Sequence, residues 1–348
     1  HFEKMLYDNG LLARIYLHAY QITGEEEFLE ATESTLDYLL EDLTDPAGGF
    51  YSARDADSEG EEGLFYLWSF QEIENRLGDS IGGRFCRSYD ISLGGNFEGK
   101  NIPNLPRSLS TSAEAEGVEP TVFKKEMAQA RKTLKEARSQ REAPLRDEKV
   151  LSAWNSFVIR ALAEAGAALG REDYLQAASD AATFLLDSVR SGPRLLRSWK
   201  EGPSNIPGFL EDYAGLGNAL LTLHEATLEA RWLQEARALV NATIELFWDP
   251  DAKAFFDTSK DSEALIIRPR DAMDNATPSG NSLAAELLLR AGRVFGDARY
   301  EAIAAEVLLG EATAMGQFPS AFGRLLSVLT SRMSPPLEVA ILGLPDET

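Results

Sequence analysis

The sequence predicts an all-α fold, a toroid of helical hairpins of the (α/α)6 type, closed or incomplete, with short β-hairpins at one end. Three observations predict it. A turn residue followed four positions later by an aromatic recurs at Gly24 and Phe28, Gly170 and Tyr174, Leu228 and Trp232, and Gly296 and Tyr300. Before each turn runs an apolar stripe at helical spacing, and after it a second amphipathic stretch. Apolar residues make up 44% of the 348 positions, an ordinary globular share that lets inner helices pack on one another beneath an outer layer. An open α-solenoid is the competing arrangement.

The first hairpin reads from Leu11, Leu12, Ile15 and Ala19 into Leu29, Leu36, Leu39, Leu40 and Leu43, with Glu30, Glu33 and Glu41 on its polar side. The others begin at Val158, Ile159, Leu162 and Gly166, at Leu216, Leu220 and Leu223, and at Leu283, Leu287, Leu288 and Ala291. The long step from Gly24 to Gly170 has room for a degenerate hairpin, with helices expected at 71–77 and 124–141. A last helix is expected at 321–329 and a strand at 339–342. Segment 48–51 with 64–67, and 254–256 with 265–267, read as β-hairpins. The Ser-, Thr- and Glu-rich stretch 105–121 reads as an exposed insertion or linker within a single domain spanning 1–348.

Thirty-four basic against 56 acidic residues leave a net charge of −22, which repels phosphate backbones and anionic headgroups and argues against nucleic-acid and membrane partners. The lone Cys86 can form neither an internal disulfide nor a Cys-based zinc site, which fits a reducing, cytoplasmic setting. No apolar run has membrane-spanning length, and no signal-peptide pattern is present. Because a helical pattern is already under way by Leu6, the chain reads as a piece whose natural N-terminus is missing.

Nineteen positions before the four aromatics stand Asn9, Asn155, Tyr213 and Asn281, preceded by Asp8, Trp154, Asp212 and Gly280. Polar and aromatic side chains thus recur near the start of each first helix, and in a toroid these starts converge on one end of the ring. With Tyr7, Glu211 and Ser279 they form the expected substrate-binding set. Structural alternatives exist for each: Ser279 as an N-cap, Asp212 at a helix start, Trp154 as core, and for the set a repeated structural device. The acidic run from Asp55 to Gly60 resembles half a calcium loop, but its twelfth position is Tyr66, so no metal is expected, and Asp55 and Asp57 read either as ring-mouth carboxylates or as a solvated acidic turn. The glycines of 94–101 match no phosphate-binding fingerprint, and no cofactor is expected. His18 and His224 read as structural, which leaves proton transfer to carboxylates. Asp212 then serves as base or nucleophile, and Asp55 or Asp57 as the acid.

Several motifs in order resemble the spermatogenesis-associated protein 20 family, also known as the YyaL or DUF255 family. They are His1-Phe2-Glu3-Lys4-Met5-Leu6-Tyr7-Asp8-Asn9, the run 48–57 continuing to Trp68, Lys149-Val150-Leu151-Ser152-Ala153-Trp154-Asn155, Leu210-Glu211-Asp212-Tyr213-Ala214 and Pro278-Ser279-Gly280-Asn281-Ser282. The resemblance implies a helical region similar to six-hairpin glycosidases and N-acylglucosamine 2-epimerases. It also implies that full-length relatives carry an N-terminal thioredoxin-like domain, which this chain lacks together with a first helical hairpin. The implied activity is carbohydrate processing. Glycoside hydrolysis by carboxylates is the preferred reaction, with Tyr7, Trp154 and Tyr213 stacking on a small carbohydrate-like ligand. A non-catalytic module that binds a sugar or a protein and accompanies the thioredoxin-like domain is the alternative. An epimerase-like isomerase comes third, because no histidine stands among the expected site residues.

Overall fold

The computed structural model describes residues 2–263 and 266–334, with 337 and 339. The chain runs through β1 (Lys4–Met5), α1 (Leu6–Thr23), α2 (Glu26–Asp42), β2 (Ala53–Arg54), β3 (Asp57–Ser58) and β4 (Glu61–Glu62). It continues with α3 (Phe70–Ser88), α4 (Leu109–Glu116), α5 (Pro120–Arg138), β5 (Arg146–Asp147), β6 (Val150–Leu151), α6 (Ser152–Leu169) and α7 (Glu172–Ser188). Next come β7 (Arg190–Ser191), β8 (Arg194–Leu195), β9 (Ser198–Trp199), α8 (Leu210–Thr227), α9 (Ala230–Phe247), β10 (Trp248–Asp249) and β11 (Ala254–Phe255). Last are α10 (Gly280–Phe295), α11 (Ala298–Gln317), a 3-10 turn at Pro319–Ala321 and α12 (Gly323–Met333). These elements group into two compact units, one formed by the described parts of His1–Met5, Glu25–Glu30 and Ala53–Asp147, the other by those of Leu6–Gly24, Ala31–Ser52 and Glu148–Thr348.

In the first unit α3, α4 and α5 enclose a core of Trp68, Ile73, Phe85, Phe123, Met127 and Leu134. Segment 105–121, expected as an exposed insertion or linker, is mostly exposed and contains α4. Ser108 caps that helix by accepting the Thr111 N–H, Leu109 and Ala113 are buried in the core, and Gly117 ends it at φ 65°. The Ser and Glu residues that read as linker composition supply its cap and its polar face. Cys86 is buried here, and burial pushes its thiol up to about 11, so it stays an unreactive thiol at neutral pH. β1, β2 and β5 form an antiparallel three-stranded sheet.

The expected pairing of 48–51 with 64–67 is replaced by shorter-range closures. Phe50 bridges Thr44, and Asp57–Ser58 pairs with Glu61–Glu62 across Glu59 and Gly60, both at positive φ. A two-residue turn of that kind closes a hairpin at less entropic cost than a long loop. For the same reason Ala254–Phe255 pairs with Trp248–Asp249 instead of with 265–267, of which Leu265 lies outside the described residues. The expected strand at 339–342 also lies outside them, apart from Val339.

The second unit carries the repeat. Helix α6 packs on α1 and on α8, α8 on α10, and α10 on α12, so these form the inner row. α7, α9 and α11 back α6, α8 and α10, and Thr32 on α2 donates its hydroxyl to the Ala13 carbonyl of α1. Helices α1, α6, α8 and α10 each end in a left-handed residue, Gly24, Gly170, Leu228 and Gly296 in turn, whose N–H bonds back to the carbonyl four residues earlier. Four residues on, Tyr174, Trp232 and Tyr300 are almost wholly buried, which fixes each returning helix against the core. Gly10 lets α1 approach α6 closely, since a Cβ there would lie 3.0 Å from the Val158 nitrogen.

Candidate functional site

The residues nineteen positions before the aromatics act on backbone. Asn155 accepts the Phe50 N–H at 2.7 Å and donates to the carbonyls of Phe50 and Leu151. Tyr213 accepts the Leu195 N–H through its hydroxyl at 3.0 Å, and Asn281 donates to the Asp271 carbonyl at 3.0 Å. All three are buried, and each ties the start of an inner helix to an extended segment. Asn9 holds the same register on α1 and is half-buried. Ser279 caps α10 by accepting the Ser282 N–H.

Asp212 is wholly buried. It accepts the N–H groups of Ala153 and Phe209 and lies 3.0 Å from Arg197, which also binds Glu211. Burial pushes the Asp212 carboxyl up to about 7, against the pull of Arg197 and the Phe209 N–H. Trp154 is half-buried and packs edge-on to Tyr7 at 4.8 Å between ring centres, while Asp8 is exposed and raised by partial desolvation. Asp55 and Asp57 are exposed residues of the first unit, where Asp55 accepts the N–H groups of Ala56 and Asp57. The structure thus joins Glu211 to Asp212 around Arg197, and Tyr7 to Trp154.

A second register of the same repeat carries charge. Fourteen and ten positions before the four aromatics stand Arg14 and His18, Arg160 and Glu164, Asn218 and Thr222, and Glu286 and Arg290. Every pair is spaced i, i+4 on an inner helix, so both members share one face. These side chains meet. Glu164 Oε2 accepts from Arg14 Nε at 2.7 Å and lies 2.9 Å from His18 Nε2, and its Oε1 accepts from Arg160 Nε at 3.2 Å. Arg160 Nη2 lies 2.7 Å from Glu286 Oε1, and Arg324 of α12 approaches Glu286 Oε2 at 3.7 Å. Arg290 donates to the Asn218 carbonyl, the Thr222 hydroxyl and Glu225.

This lattice borders a cavity of about 760 Å³ whose walls include Arg14, His18, Arg160, Glu286, Arg290 and Arg324. None of the twelve residues expected at the ring mouth lines it. Reading the sequence for helix starts missed the cavity residues, although their i, i+4 charges on otherwise apolar helices were a usable signal. Asp274, at the cavity edge, accepts the N–H groups of Ser279 and Arg324 and so joins the starts of α10 and α12.

Burial opposes ionisation of Glu164, yet His18, Arg14 and Arg160 hold it down to about 2. Glu286 is likewise held well below the carboxylate range, because Arg160 and Arg324 outweigh its burial. Both are ionised at neutral pH, so they can orient, accept hydrogen bonds and stabilise positive charge, and neither can donate a proton. His18, 44% exposed, supplies a proton-transfer group with a carboxylate at its Nε2. Among the described residues no three His, Cys, Asp or Glu side chains converge as a metal site, and no helix is long and apolar enough to cross a membrane.

No protein-family model matches the chain. Among solved structures, a sugar epimerase from a ruminal bacterium aligns with a TM-score of 0.55 at 12% identity, over 88% of this chain and 60% of that one. The cellobiose 2-epimerase of Spirochaeta thermophila aligns at 0.53 and 14% identity, over 92% and 62%. At such identities the likeness shows the fold alone: the chain is a helical-hairpin protein of the (α/α)6-toroid class. Among curated proteins, human spermatogenesis-associated protein 20 is 32% identical over 380 residues, 99% of this chain and 48% of that protein. An uncharacterized protein of Caenorhabditis elegans is 27% identical over 361 residues, 94% and 49% of the two chains. The chain belongs to the spermatogenesis-associated protein 20 family, and it spans about half the length of the curated relatives it matches.

Proposed function

We propose that the second unit holds a saccharide in the arginine-lined cavity and moves a proton on it, in a reaction of the isomerase or epimerase type. The observation that carries this reading is His18 on the wall of a cavity of about 760 Å³, with its Nε2 held by Glu164 behind that wall. Binding pockets for small molecules commonly measure about 300 to 1,000 Å³, which suits a mono- or disaccharide. With Nε2–H donated to ionised Glu164, the His18 Nδ1 keeps its lone pair and takes the proton from the carbon beside the sugar carbonyl. The guanidinium groups of Arg14 and Arg160 favour the negative charge that then develops on oxygen. The sugar epimerases among the structural neighbours support the substrate class.

Glycoside hydrolysis needs a protonated carboxyl beside the leaving oxygen. Glu286 on the wall and Glu164 behind it are held ionised, the Asp274 carboxylate is engaged by the Ser279 and Arg324 N–H groups, and Asp212 has no exposed surface from which to donate. The proton-transfer reading therefore stands ahead of the carboxylate one. Incubating the chain with a panel of aldoses, ketoses and disaccharides in deuterated water, followed by NMR, tests it. Deuterium is expected at the carbon beside the carbonyl, and His18→Gln is expected to slow its uptake at least about 100-fold with an unchanged melting temperature. Cleavage of a glycosidic bond without exchange would transfer the reading to a hydrolase. Saturable sugar binding without either change would leave a binding module.

A further inference from the structure

We infer that the ligand of this cavity is anionic, a saccharide bearing a carboxylate or a phosphate that Arg14 and Arg324 receive. The inference rests on the carbohydrate reading above and narrows its substrate class.

A guanidinium offers five N–H donors. Arg14 commits its Nε to Glu164, and neither of its terminal nitrogens has a hydrogen bond among the described residues. The Arg324 side chain makes none at all there: its nearest carboxylate oxygen, Glu286 Oε2, stands at 3.7 Å, beyond hydrogen-bond reach. Both side chains are mostly sheltered, at 15% and 20% exposure, and both line the cavity. That Glu286 oxygen is itself buried without a partner. The cavity wall therefore presents cationic donors that no carboxylate among the described residues meets at hydrogen-bond distance. A ligand that satisfies them carries an anionic group, which within the saccharide class is a sugar acid or a sugar phosphate.

Charge balance points the same way. Five arginines line the cavity, Arg14, Arg160, Arg290, Arg293 and Arg324, against the four carboxylates of Glu164, Glu225, Glu286 and Asp274, leaving one positive charge in excess within a chain of net charge −22. Arg290 is matched by Glu225. Burial, and then repulsion from Arg160, lowers the affinity of Arg14 for its proton, so the excess is unfavourable in the empty cavity and an arriving anion relieves it. A neutral sugar would leave the charge of the guanidinium donors unmatched.

Calorimetric titration of the 348-residue chain with glucose, glucuronate, glucose 6-phosphate and inorganic phosphate tests the inference. One of the two anionic sugars is expected to bind at least about tenfold more tightly than glucose at low salt, with the gap narrowing at about 0.5 M salt. Which of the two wins assigns the carboxylate or the phosphate. The gap is expected to close in Arg324→Gln, and Arg14→Gln gives a second reading if that variant folds poorly. Equal affinity for glucose and both anionic sugars, or a gap unaltered in both variants, overturns the inference and leaves the carbohydrate reading standing. Binding of inorganic phosphate without any sugar, or no binding at all, overturns both.

Discussion

The Arg160 guanidinium on α6 lies 2.7 Å from the Glu286 carboxylate on α10, although the two helices are separated in the inner row by α8. Their side chains are only 11% and 12% exposed, so the pair is buried. Removing one partner of such a pair strands the other charge in a poorly solvated place. Arg160→Met is expected to destabilise the chain by about 3 kcal/mol, because Glu164 loses a donor at the same time. Adding Glu286→Gln to that variant is expected to cost much less than Glu286→Gln alone, a coupling that urea denaturation of the two single variants and the double variant measures. Additive losses would mean that the two side chains act independently.

The same cluster sets the acid limb of stability. Glu164 titrates near 2 in the folded chain against an ordinary value near 4.5, so the native state binds fewer protons than the unfolded state between those values. Its contribution is present above about pH 4.5 and is lost as pH falls through about 2, and Glu286 acts in the same direction. Asp212 has the opposite sign. Raised from 3.8 to about 7, it contributes stability fully below pH 3.8 and loses it as pH rises through about 7. Urea midpoints between about pH 2.5 and 8 are expected to peak at about pH 5. Glu164→Gln is expected to flatten the acid limb, whereas an unchanged limb would place acid sensitivity elsewhere.

The register of the repeat was legible in the sequence because its physical basis is local. A left-handed cap followed by a buried aromatic needs particular residues at Gly170 and Tyr174 whatever the rest of the chain does. What the polar positions do was less legible, since helix starts and helix middles carry equally recurrent residues. Asn155 and Arg160 lie five residues apart on α6, and only the packing shows that the first binds the Phe50 backbone while the second meets Glu164 and Glu286. The strand partners were missed for another reason. Two-residue strands such as Asp57–Ser58 carry no periodicity, and the turn at Glu59 and Gly60 decides their pairing.

Leu228 departs from the glycine that fills the other three caps, and it takes the same left-handed conformation at φ 59°. Its side chain is 79% exposed, so little packing offsets the strain that a Cβ brings there. Leu228→Gly is expected to stabilise the chain by about 1 kcal/mol, visible as a rise in melting temperature. A fall would show that the Leu228 side chain stabilises the α8–α9 turn through contacts that outweigh its backbone strain.

Asn155 and Asn281 hold the same register on α6 and α10, and both are buried, yet they are bonded differently. Asn155 makes three hydrogen bonds, one accepted from the Phe50 N–H and two donated to the carbonyls of Phe50 and Leu151. Asn281 makes one, to the Asp271 carbonyl, and its Oδ1 is buried without a partner. Truncating Asn155 to Ala leaves the Phe50 N–H and carbonyl without these bonds at a site with almost no access to water. Unsatisfied buried backbone groups cost about 1 to 3 kcal/mol each, so Asn155→Ala is expected to lose about 3 kcal/mol or more. Asn281→Ala removes one donor and an acceptor that was already unsatisfied, and is expected to lose about 1 kcal/mol. Equilibrium unfolding of the two variants in parallel measures the difference. If the losses are equal, the shared register is a clamp of uniform strength, and the bare Oδ1 of Asn281 has no energetic consequence. If Asn281→Ala instead leaves stability untouched and weakens sugar binding, Asn281 belongs with the ligand-binding residues, as its position in the repeat first indicated.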